Sequence, residues 1–226
     1  MFDILYQYDD FIVINKHQGI SVHKDDGDTM LLCEVARAIK CDKLYLVHRL
    51  DKMTSGLLLL AKHSHAAKQL SELFATRKIE KYYLAIGESK PKKKQGSIIG
   101  DMERSRRASW KLLKSNVNPA ITQFFSQTGQ QGERWFICKP YTGKTHQIRV
   151  ALNSIGSPIL GDPIYNTKSK TDRGYLHAYA MRFRLDGMDY SFISHPTDGE
   201  KWLSSEAQKC INQWDKPWQL DWPKIK

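Results

Sequence analysis

The sequence predicts an α+β fold: a largely antiparallel mixed sheet core with flanking helices. Three observations point there. Segments of strand character outnumber those with a helical period. Several neighbouring strand segments are separated by turn signals short enough for hairpins. No repeat or linker divides the chain, so residues 1–226 read as a single domain, and the pattern is not the strand–helix alternation of a doubly wound parallel sheet.

Taken in order, "ILYQYDDFIVINKH" gives two short strands turning at Asp9 and Asp10. "TMLLCEVARAIK" places Leu32, Val35, Ala36 and Ile39 at helical spacing, with Asp28 or Thr29 available as the cap. "LYLVHRL" looks extended. "GLLLLAK" is apolar without alternation, as in a strand covered on both faces. "SHAAKQLSELFATRK" sets Ala66, Leu70, Leu73 and Phe74 on one helical stripe behind Ser64 as cap. "KYYLAIGE" is a strand. Residues 90–118 are dense in positive charge and poor in period, and read as a basic excursion, part hairpin and part loop. "AITQFFSQ" and "RWFICKPY" flank "TGQQGE" as a hairpin. "THQIRVALNSIG" lines Ile148, Ala151, Leu152 and Ile155 along a short helix that stops at Gly156, with His146, Arg149 and Asn153 on the polar face. Two strands turn at Asp186-Gly187, a helix follows near 199–212, and a tail from about residue 213 bears Trp214, Trp218 and Trp222.

Composition limits the function. Thirty-five Lys and Arg against 24 Asp and Glu give a net charge of +11, which favours a polyanionic partner through phosphate contacts. No run of about 18 apolar residues exists to span a membrane, and the N-terminus lacks the pattern of a signal peptide. The four cysteines show no metal-ligand spacing, so they read as free thiols of a reducing compartment, the cytoplasm. No metal site is expected. In the excursion, Arg104, Arg106 and Arg107 are interleaved with Trp110, a combination suited to RNA backbone contact with stacking; the alternative is a solvated charge run.

Four stretches carry a more specific signal: "INKHQGISVH" (14–23), "HRLDKMTSGLLLLAK" (48–62), "KYYLAIG" (81–87) and "TGKTHQIRVALNSIGSPILGDPIY" (142–165). Together, and in this order, they resemble the RluA-type pseudouridine synthases, with "LHA" (176–178) and residues 192–196 fitting that family's closing strands. The likeness covers roughly residues 4–197. Two departures stand out. His17 replaces a usual proline, and Lys144 replaces the arginine of T-G-R-T-H, where it bears on phosphate contacts. The match begins too early to leave room for an N-terminal S4-type RNA-binding module, so the core is expected to bind RNA by itself.

The resemblance implies the pseudouridine synthase fold, an isomerase acting on structured RNA (tRNA or rRNA), and a catalytic set of Asp51, Tyr83 and Arg149. Isomerising uridine breaks the N-glycosidic bond, turns the uracil and joins C5 to C1′, so no cofactor is implied. Asp51 would be the nucleophile, through attack at C6, attack at C1′ or a glycal. Arg149 would keep it ionised. Tyr83 would stack on the target base; strand alternation sets it opposite its competitor Tyr82. Arg49 would fill the place of a base taken out of the stack. Arg49 and Lys144 join Arg104, Arg106 and Arg107 as expected RNA contacts, and His48 is read as structural. Taken alone, Asp51 also reads as a turn cap before Thr54-Ser55-Gly56. "HRLD" differs from a kinase H-R-D by its leucine and has no glycine-rich loop or D-F-G beside it. A non-catalytic RNA-binding protein on the same scaffold is the alternative. A monomer without an obligate protein partner is expected, and a compact target such as a tRNA stem or loop suits a chain without an S4 module.

Overall fold

The computed structural model describes residues 1–22, 28–129 and 132–225, with residues 28 and 29 described by backbone alone. The cap expected of Asp28 or Thr29 and the turn at Gln130 and Gln131 lie outside the described residues. The chain forms two compact units, Met1–Glu80 with His177–His195, and Lys81–Leu176 with Pro196–Lys226.

The first unit is built around β4 (Ser55–Ala61), buried along its whole length. One edge of β4 pairs antiparallel with β2 (Phe11–Lys16), which forms the expected hairpin with β1 (Phe2–Gln7). The other edge takes β3 (Tyr45–Leu46) at one end and, in parallel, β11 (Leu176–Leu185) at the other. β11 turns into β12 (Met188–Ile193) through Asp186 and Gly187, both at positive φ as a type I′ turn requires. The two hairpins meet through aromatic rings, Tyr6 on Phe192 at 4.8 Å and Phe11 on Tyr190 at 5.1 Å. Leu57 to Leu60 are at most 1% exposed. Each such leucine contributes about 1.5–3 kcal/mol by leaving water.

Two helices complete this unit, and each corrects a detail of the sequence reading. In α1 (Asp28–Ala38), Leu31 joins Val35 and Ala36 in the core, while Leu32 lines a groove of about 620 Å³ against residues 41–46. In α2 (Ser64–Ala75) the cap is His63, not Ser64. Its Nδ1 accepts the Ala66 amide at 3.2 Å, while Nε2 lies 3.0 Å from Asp10. Asp10 accepts a hydrogen bond from Nε2–H, which leaves Nδ1 as the acceptor that a cap needs. The extended reading of "LYLVHRL" holds only for β3.

In the second unit, β5 (Glu80–Gly87), β10 (Arg134–Pro140), β9 (Ala120–Thr128) and β6 (Gln95–Gly100) pair antiparallel in that order. The basic 90–118 segment therefore divides. Residues 95–100 are a sheet strand, and β7 (Met102–Arg104) with β8 (Trp110–Leu112) form a separate hairpin. α3 (Gln147–Ser154) is buried from Gln147 to Leu152, so on the expected polar face Arg149 is buried, His146 half-buried and Asn153 exposed. Gly156, at φ 81, ends it as expected. α4 (Ser205–Asn212) starts later than expected, behind a Ser204 cap. The tryptophan tail docks within this unit: Trp222 packs on Phe125 at 5.1 Å and Tyr82 at 5.8 Å, and donates its indole N–H to the Pro217 carbonyl.

Candidate active site

In the first unit, Asp51 opens a β-turn closed by the Thr54 amide on the Asp51 carbonyl at 2.9 Å. The side chain is half-buried, between the buried Leu50 and Met53, and Arg49 two residues earlier is exposed. The turn is held from several directions. Upstream, His48 Nε2 accepts the Leu59 amide at 2.9 Å, and its ring stacks on Phe74 at 4.5 Å, the structural part expected of it. Across the turn, the Gly19 amide donates to the Lys52 carbonyl at 2.8 Å. The loop containing Gly19 is set in turn by Lys16, a fully buried ammonium donating to the carbonyls of His17 and Ile20. Downstream, Gly56 has φ 107 and presses so closely on β11 that a Cβ there would meet the Ala178 carbonyl oxygen at 2.2 Å.

The last of these supports is one that sequence reasoning missed. His177, 1% exposed, lies 2.8 Å from Ser55 Oγ through Nδ1 and 2.8 Å from the Ser194 carbonyl through Nε2. A carbonyl can only accept, so Nε2 carries the proton and Ser55 donates its hydroxyl hydrogen to Nδ1. The histidine joins the start of β4 to the end of β12. Its only signal in the sequence was its place in "LHA".

In the second unit, strand alternation separates Tyr82 and Tyr83 as expected. Tyr82 is fully buried under Trp222, with the Lys139 ammonium 5.3 Å from its ring, whereas Tyr83 is half-buried. Beside them, burial pushes the Lys81 ammonium down to about 8.

Arg149, 3% exposed, is clasped by Asp162: Nε donates to one carboxylate oxygen at 2.7 Å and Nη2 to the other at 2.9 Å. Burial alone would raise the Asp162 carboxyl. The Arg149 hydrogen bonds and charge, with the amides of Tyr165 and Ile164, outweigh it and hold the group below the usual carboxylate range. The Tyr165 ring faces the same guanidinium at 5.2 Å. Asp162 and Tyr165 stand in "GDPIY", a stretch in which the sequence reading gave neither a role.

Lys144 reaches the Asn118 carbonyl. The 115–118 loop it meets is itself fastened to Asp101, which accepts the Val117 and Asn118 amides. The lysine thus ties two loops together. Arg104, Arg106 and Arg107 are exposed around the β7–β8 turn, where Arg107 and Ala108 both take positive φ and the Ser109 amide closes on the Arg106 carbonyl. Two consecutive non-glycine residues in this region cost about 1–2 kcal/mol each. Among the described residues no cluster of three His, Cys, Asp or Glu is placed to hold a metal ion, and no helix is long and apolar enough to cross a membrane.

A half-exposed carboxylate on a rigid turn can serve as a nucleophile. A buried arginine clasped by a carboxylate can stabilise an anion that forms beside it. Comparison with known proteins gives the class. The sequence profile of "RNA pseudouridylate synthase" matches residues 10–154. An "Uncharacterized RNA pseudouridine synthase" of Haemophilus influenzae is 50% identical over 202 residues, 89% of this chain and 90% of that one. The "Ribosomal large subunit pseudouridine synthase C" of the same organism is 33% identical over 211 residues, 87% of this chain and 62% of the relative. Among solved structures, Human RNA Pseudouridylate Synthase Domain Containing 4 is 27% identical with a TM-score of 0.71, covering 84% of this chain and 87% of that one. Domain Containing 1, at 23% identity, shares the fold with a TM-score of 0.76 over 100% of this chain and 97% of its own. The chain belongs to the RNA pseudouridylate synthase family. It is an isomerase that modifies RNA by converting uridine to pseudouridine.

Proposed function

We propose that this chain isomerises a uridine in structured RNA, with the Asp51 carboxylate as nucleophile on a base taken out of the stack. The observation that carries the reading is the Asp51 turn. Asp51 is half-buried, its carbonyl accepts the Thr54 amide, the neighbouring His48, Lys52 and Ser55 are each fixed by a hydrogen bond of their own, and the exposed Arg49 stands two residues away. A capping aspartate needs no such fixation, whereas a nucleophile gains from a fixed approach.

The reaction follows from the parts. The target base leaves its stack, at a cost of a few kcal/mol, and Arg49 fills the vacated place. Asp51 opens the reaction at C6, at C1′ or through a glycal. The glycosidic bond breaks, the uracil turns, C5 bonds to C1′, any bond to Asp51 is released, and the C5 proton departs while N1 takes one up. Tyr83 stacks on the base. Arg149, oriented by Asp162, supplies positive charge where the anionic intermediate forms. Atoms balance without oxidant or reductant, so the reaction is assigned no cofactor. Arg104, Arg106 and Arg107 carry the RNA backbone, with Lys144 setting the loops beside it.

Ribosomal RNA is the favoured target, supported by the name of the 33%-identical relative; transfer RNA is the other structured candidate. The two units act as one catalytic domain, a monomer in the cytoplasm. Mapping pseudouridine across ribosomal and transfer RNA in cells lacking this protein tests the reading. One or a few sites should revert to uridine and be restored by the wild-type chain but not by Asp51→Asn. An unchanged map would refute it.

A further inference from the structure

Arg149 can work only if its guanidinium is held in place, and Tyr165 sits where the parts that hold it converge. The Tyr165 ring faces that guanidinium at 5.2 Å. Its hydroxyl lies 2.8 Å from the backbone nitrogen of Trp110, the first residue of β8, and 3.1 Å from Nδ1 of His146, whose ring meets the tyrosine edge-on. An amide N–H can only donate, so the hydroxyl accepts from Trp110, while the imidazole tautomer sets which partner donates in its second hydrogen bond, to Nδ1. His146 immediately precedes α3 and is held at φ 57, a left-handed value that persists in a non-glycine residue only where its surroundings impose it. Three residues further on is Arg149. Trp110 belongs to the hairpin whose turn presents Arg104, Arg106 and Arg107. One hydroxyl therefore joins the backbone of the basic hairpin to the start of the helix that carries the arginine.

We propose that Tyr165 is a positioning residue that couples the basic hairpin to Arg149, so that RNA seated on the hairpin fixes the guanidinium in its working orientation. This rests on the reading of Arg149 and the hairpin given above. Without the hydroxyl, the ring still covers the guanidinium and β8 still packs on α3, but the hydrogen-bonded link from the hairpin backbone to His146 is lost. A small misplacement of an arginine at a reacting centre is enough to slow chemistry by one or two orders of magnitude.

The test uses the full chain and bulk cellular RNA from cells lacking it, labelled with tritium at uracil C5. Single-turnover tritium release is followed with enzyme saturating, and affinity is measured separately. Tyr165→Phe should slow release about tenfold, with affinity within about twofold of wild type and the melting temperature little changed. Arg106→Ala with Arg107→Ala should weaken binding and slow release. Placed in the Tyr165→Phe background, the pair should still weaken binding but slow release no further, because the link is already cut. Release by Tyr165→Phe within about twofold of wild type, or losses that multiply, would overturn the proposal. Arg149→Ala separates the layers. If it reacts at the full rate, the site reading fails and this proposal falls with it. If it is slow while Tyr165→Phe is normal, only the coupling is wrong.

Discussion

At the scale of single residues, the proposed chemistry rests on side chains whose freedom is removed by partners outside their own motif. Arg149 and Asp162 are the sharpest case. The pair is almost completely buried and bidentate, so removing one charge strands the other in a medium that solvates it poorly. Asp162→Asn should lower unfolding free energy by about 3–5 kcal/mol, measured by urea denaturation, and should slow catalysis as well; a loss under about 1 kcal/mol would mean the pair is not the anchor described here. The family resemblance singled out Arg149 and Asp51 in the sequence. It did not reveal Asp162, Tyr165 or His177, because each acts through a partner supplied by the fold: His177 reaches Ser55 across 122 positions. The His63 cap was hidden for the same reason. A histidine serves as a cap acceptor only when its other nitrogen is occupied, and Asp10 occupies it from 53 positions away.

At the scale of elements, the hairpins and the apolar strand were readable because their signals are local. "LDGMD" carries its own turn chemistry, and the unbroken leucines of β4 have the length of a strand and the pattern of one buried on both faces. The period of α3 places His146, Arg149 and Asn153 on one polar face without showing how far that face is buried. The helix's burial from Gln147 to Leu152 comes from partners distant in the chain, with Gln147 hydrogen-bonded to Thr142 and to the Ile121 carbonyl, while Asn153 stays exposed. The basic segment at 90–118 looked uniform in composition, yet pairing with β9 makes a sheet strand of 95–100 and leaves the charged β7–β8 turn exposed. If that turn carries RNA backbone, replacing Arg104, Arg106 and Arg107 with glutamine should reduce the slope of log affinity against log salt by about one for each phosphate no longer neutralised. An unchanged slope in a salt titration would assign those charges to solvent.

At the scale of the whole molecule, a net charge of +11 suits a polyanionic substrate and also repels itself. Lys81 adds a titration of its own. Its folded-state value of about 8 lies below that of an unfolded lysine, about 10.4. Between these values the unfolded chain binds the extra proton, so stability rises with pH across that window and levels off above it. Lys81→Met should remove this rise while keeping the other titrations, which paired urea melts from pH 7 to about 10.5 can resolve; identical pH slopes in the two proteins would refute the burial of that ammonium. The proposed function as a whole rests on the Asp51 carboxylate. The most direct measurement is tritium release from C5-labelled cellular RNA by purified wild-type chain and by Asp51→Asn, with RNA affinity and melting temperature determined on the same samples. A nucleophilic Asp51 predicts release by the wild type and a loss of at least about a thousandfold in the variant, with affinity and melting temperature close to wild type. Release by Asp51→Asn at a rate near that of the wild type would contradict it.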